Sequence, residues 1–123
     1  MIEYKAATDI REKAISIISK LGFDHIDQER LYFFRSFGSR SRYTRARIHG
    51  IAKVWNEVLH SGPRYLIEVV SEKFDNLTSH EKEKIIIHEL LHIPRGFTGG
   101  FVTHGNAVSE SRIENLHRAF CTK

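Results

Sequence analysis

His88, Glu89 and His92 are the residues of this chain best placed to do chemistry together, and their order, His-Glu-Leu-Leu-His, indicates which chemistry. Residues four apart on a helix lie on one face about one turn apart, so both imidazoles can offer a nitrogen to one zinc ion. Glu89 projects beside that face. There its carboxylate can take a proton from a water that zinc acidifies to a pKa of about 7. The chemistry expected is metal-assisted hydrolysis, with one Zn²⁺ per chain.

Two histidines do not complete such a site, because catalytic zinc keeps three protein ligands and one open position. Downstream, Gly96, Gly99 and Gly100 allow the chain to reverse, and His104 follows a short loop away. Glu110 and Glu114, in the next helical run, are the rival third ligands. The bland reading of His-Glu-Leu-Leu-His is a pair of ordinary, partly exposed histidines in a chain rich in His and Glu. Its setting argues against that reading. Thr78 and Glu81 have capping-box spacing, Pro94 closes the run, and Ile86, Ile87, Leu90, Leu91 and Ile93 supply an apolar surface to bury.

The elements that must position this helix can be read in outline. Asp9 to Leu21 predicts a first helix, with Asp9 and Glu12 at cap spacing, an apolar stripe of Ile10, Ala14, Ile17, Ile18 and Leu21, and Gly22 as its stop. Arg30 to Phe37 and Arg45 to Ile51 predict two strands, expected to pair antiparallel across the loop between them. Ala52 to Leu59 predicts a short helix that turns Val54, Trp55, Val58 and Leu59 to the core. Arg64 to Ser71 predicts the clearest strand, expected at the edge of the cleft, where an extended peptide can add to it. Val108 to Phe120 predicts a closing helix, capped by Asn106, on which His117 is a surface residue. His25 lies in a turn with no nearby partner.

Charge is unevenly placed. The net charge is +4, and from Arg30 through Asn56 there is no Asp or Glu. Arg35, Arg40, Arg42, Arg45 and Arg47 fall in that span with Ser39, Ser41 and Tyr43, residue types that contact phosphates and bases. This is a candidate DNA or RNA surface; a solvated basic hairpin or a site for acidic protein gives the same pattern. At 123 residues the chain is expected to be one domain, 1–123, with a modest core. A lone Cys121 excludes an internal disulfide framework and fits a reducing cytoplasm, where it is an incidental thiol. No apolar run has membrane-spanning length and the start lacks a signal pattern, so a cytoplasmic location is expected.

The run Glu81 to Gly105, EKEKIIIHELLHIPRGFTGGFVTHG, resembles a family of small metallopeptidases from archaea and phages. Members carry HELLHIP, a Gly-Gly loop and then His-Gly. The likeness extends upstream through the serine- and arginine-rich run, ARIHGIAKVW and YLIEVVSEKFDNL. More distantly, the helix, loop and His-Gly are similar to SprT-like minimal zincins, which cleave proteins crosslinked to DNA; this chain lacks their four-cysteine ribbon. The resemblance implies His88, His92 and His104 as zinc ligands and Glu89 as the base. It also implies an α+β minimal zincin fold: a small, mainly antiparallel three-stranded sheet, an N-terminal helix, the HExxH helix and a C-terminal helix. A zinc metallopeptidase acting on protein or peptide, including nucleic-acid-associated protein, is the function expected. The alternatives are a zinc-containing nucleic-acid-binding or regulatory domain without peptidase activity, and a structural zinc fold, for which a fourth ligand is hard to find. Tyr65, His117 and Arg95 are the conceivable oxyanion donors.

Overall fold

A computed structural model describes residues 1–123. It begins with a strand that periodicity does not signal: β1, Glu3–Ala6, is exposed along its whole length, so no alternation marks it. Helix α1, Thr8–Leu21, starts from Ala7 without a side-chain cap. Asp9 is therefore not the cap expected. It lies in the first turn and is engaged by Arg35. Gly22 takes the left-handed conformation, φ 68°, that ends α1.

The remaining elements are β2 Leu31–Phe37, β3 Ala46–Gly50, α2 Lys53–Leu59, β4 Tyr65–Val70, α3 Ser71–Phe74, α4 Ser79–Leu91 and α5 Glu110–Cys121. They form an α+β fold around a four-stranded mixed sheet of order β1-β2-β4-β3. This corrects the expected three strands and the expected hairpin. β2 and β3 do not touch; β4 lies between them, parallel to β2 and antiparallel to β3. The physical reason is burial. Five of the six residues of β4 are apolar, the sixth, Glu68, is buried against Arg47 and His49, and nearly all of the strand is inaccessible. Such a strand gains most from the centre of a sheet, where both edges are paired. β4 is thus not the edge strand expected beside the cleft; β3 is.

Helices α1, α4 and α5 share one core with β2 and β4. Ile10, Ala14, Ile17 and Ile18 meet Leu31, Phe33, Tyr65, Ile67 and Val69, then Ile86, Ile87, Leu90, Ile113 and Phe120. Burying each of the large side chains contributes about 1.5–3 kcal/mol relative to exposure. Helix α2 stays outside this core. Val54, Trp55, Val58 and Leu59 are 69, 59, 65 and 57 % exposed, against the inward orientation expected. Helical spacing defines their common face but not what covers it.

Two caps fix the ends that matter. Thr78 and Glu81 form a capping box: the Thr78 hydroxyl accepts from the Glu81 N–H at 3.2 Å and the Glu81 carboxylate accepts from the Thr78 N–H at 3.1 Å. Helix α5 is capped by Ser109, whose hydroxyl accepts from the Arg112 N–H at 3.2 Å; Asn106 does not cap it. No helix is long and apolar enough to cross a membrane.

Candidate metal centre

His88 sits in the last turn of α4 and His92 is its C-cap residue, so the helix ends inside the motif. Their rings are stacked along one face, with centroids 5.1 Å apart. Between them Glu89 turns inward and is 8 % exposed. The following loop then folds back. Val102 N–H donates to the His92 carbonyl at 2.8 Å, and His92 Nδ1–H donates to the Val102 carbonyl at 2.6 Å. Two residues later His104 arrives over the motif. Its Nε2 is 2.9 Å from His88 Nε2, and its ring centroid is 4.7 Å from that of His92.

Tyr65 holds the loop in this shape. Its side chain, 1 % exposed, reaches from β4 into the turn. The hydroxyl accepts from Gly99 N–H at 2.8 Å and donates to the Gly100 carbonyl at 2.7 Å. Phe97 and Phe101 pack edge-on against its ring at 4.9 and 5.8 Å. The loop approaches Gly50, Tyr65's partner in the ladder, so closely that a Cβ there would stand 3.0 Å from the Gly99 carbonyl oxygen.

One nitrogen from each of His88, His92 and His104 lies within 4.8 Å of the others. The bond from His92 Nδ1–H to Val102 fixes a tautomer that leaves Nε2 to act as a ligand, the usual support for a metal-binding histidine. Burial, reinforced by the other two rings, pushes the His88 imidazole below its ordinary value, toward the neutral form that binds metal. Three imidazoles with no carboxylate among them suit zinc. Burial alone raises the Glu89 carboxyl to about 7, in the range where a base works near neutral pH. A cleft of about 470 Å³ opens on these residues, lined on its far side by Ala46, Arg47 and Ile48 of β3.

The other candidates fall elsewhere. Glu110 and Glu114 are outside the histidine cluster, and Glu114 pairs with Lys84 at 2.9 Å. Tyr65 is occupied by the loop. Arg95 is exposed and does not line the cleft. His117 is no surface residue: it is 5 % exposed, with Nε2 2.9 Å from Glu83. The sequence carries the signal for this, since His117 shares the face of Ile113 and Phe120. His25 does find a partner, the Ile93 carbonyl at 3.3 Å.

Of the basic set, Arg35 is removed from any phosphate-binding role. Asp9 and Asp75 engage its guanidinium, and its side chain is 18 % exposed. Arg47 pairs with Glu68 at 3.3 Å on the wall of the cleft. Arg40, Arg42 and Arg45 are exposed on the β2–β3 loop.

Residues 2–117 match the family described as putative phage metallopeptidase. The chain belongs to this family. Neither the curated proteins nor the solved structures include a match to it. Membership makes this a metallopeptidase chain, with a metal cofactor and protein or peptide substrates.

Proposed function

We propose that the chain is a zinc-dependent endopeptidase, with His88, His92 and His104 holding one Zn²⁺ and Glu89 as general base. The observation that carries this reading is the return of His104 to the His-Glu-Leu-Leu-His face, beside a buried carboxyl, at the floor of a cleft. When bound, zinc acidifies water and polarises the scissile carbonyl. The rest is done by side chains and backbone of the chain. An extended peptide adds to the open edge of β3, which pairs with β4 on one side only. That addition lays the scissile bond across the cleft. Glu89 takes a proton from the attacking water on its carboxylate and passes it to the leaving amine nitrogen. Its burial shields that carboxylate from bulk water.

Glu89→Gln tests this directly. It is expected to keep its zinc and to lose hydrolysis of an unfolded protein such as casein by about 10²–10⁴-fold. Undiminished turnover would remove Glu89 from the reaction.

A second reading concerns where the substrate is found. Arg40, Arg42 and Arg45, with Tyr43 84 % exposed among them, form no ion pair and precede the strand that lines the cleft. Nucleic acid held on this loop would bring bound proteins to the site. Cleavage that accelerates when DNA is added, and loses that acceleration in the triple Ala variant, is the expected result. Salt-dependent DNA binding with no cleavage of any protein would instead favour a regulatory domain without peptidase activity.

A further inference from the structure

A second group of donor atoms lies at the other end of α4, where α5 packs against it. His80 and Glu83 are three apart on α4, and His117 and Cys121 are four apart on α5, so each pair shares a helix face. The four donor atoms lie within 4.8 Å of one another. Glu83 Oε1 is 2.9 Å from His117 Nε2, and Cys121 Sγ is 3.5 Å from the same nitrogen. The His80 ring stands edge-on to His117, centroids 5.0 Å apart. Lys13 of α1 donates to the other carboxylate oxygen, Oε2, at 2.9 Å. That contact holds Oε2, leaving Oε1 facing the cluster.

We propose that His80, Glu83, His117 and Cys121 form a second metal site, for zinc or another borderline-soft divalent ion. A buried His–Glu pair would account for Glu83 and His117 alone. It does not account for a further imidazole and the chain's one thiol converging on the same point. Two imidazoles, a thiolate and a carboxylate complete a tetrahedral set with no open position, which is the pattern of a structural site rather than a catalytic one. His80 and Cys121 are exposed and the other two ligands are buried, so an ion can enter from solvent and be held against the core. The site fastens α5 to the helix that carries the catalytic motif, and its binding free energy adds to the stability of that pairing. It shares no residue with the histidine cluster and does not depend on peptidase activity.

The test is titration of the metal-free full chain with cobalt(II), read by absorption. Cys121 is the only cysteine, so a sulfur-to-cobalt charge-transfer band reports this site and no other. The band is expected in the wild type and in His88→Ala/His104→Ala. It should vanish in Cys121→Ser, an exposed position where folding is not at risk. His80→Ala should weaken the cobalt affinity about ten-fold or more. No band in the wild type overturns the proposal. So does a band whose affinity is unchanged in His80→Ala, which would be a lone thiol, or one abolished by His88→Ala/His104→Ala.

Discussion

His92 and Val102 are bonded to each other twice, backbone to backbone at 2.8 Å and imidazole to carbonyl at 2.6 Å. The pair does two things at once. It fixes the His92 tautomer, and it sets the point from which the chain delivers His104 to His88. Val102→Pro removes the N–H donor and is expected to lower zinc affinity about 10–100-fold, measured by competition with a chelator. Unaltered affinity would mean that this clamp does not place the third histidine.

Tyr65 supports the same loop from beneath. Tyr65→Phe keeps the edge-on packing of Phe97 and Phe101 but leaves the Gly99 N–H and the Gly100 carbonyl without their shared partner. A loss of about 1 kcal/mol in denaturant unfolding is expected, together with weaker zinc binding. Lost stability with zinc affinity intact would confine Tyr65 to the core.

Acid should weaken the fold through Arg35. Its hydrogen bonds hold the Asp9 carboxyl at about 2, against an ordinary 3.8. Asp75 moves the same way, because Arg35 and Ser71 outweigh the upward pull of its burial. Groups depressed on folding stabilise above their ordinary value. That stability falls away as pH drops from 3.8 toward about 2. Asp9 is 63 % exposed, so solvent screens the pair and the effect is modest. Asp9→Asn should flatten part of the decline in the denaturant midpoint over that window. An unchanged slope would show that the pair contributes nothing.

The parts of this protein legible in its sequence are those set by neighbours along the chain. The α4 capping box, the Gly22 stop and the His88–His92 face follow from spacing alone. Partners chosen across the fold were not legible. β4 displaced the expected hairpin because a strand buried on both faces favours the sheet centre, and nothing in β2 or β3 announces this. β1 was invisible because all its residues are exposed. α2 misled because an apolar face does not name its partner. His117 and Cys121 read as incidental because Glu83 and His80 lie a loop and most of two helices away. The candidate site stood between these cases. Its helix was local, and the glycines pointed to a reversal, but the placing of His104, rather than Glu110 or Glu114, beside His88 depends on a clamp between residues ten apart.

The central claim rests on which side chains hold the ion near Glu89. Metal content of the purified Cys121→Ser protein, by plasma mass spectrometry, tests it without interference from a thiol site. One zinc per chain is expected, lost on adding His88→Ala or His104→Ala and retained with Glu110→Ala. A protein that takes up no zinc, or that loses it with Glu110→Ala and keeps it with His104→Ala, would contradict the account.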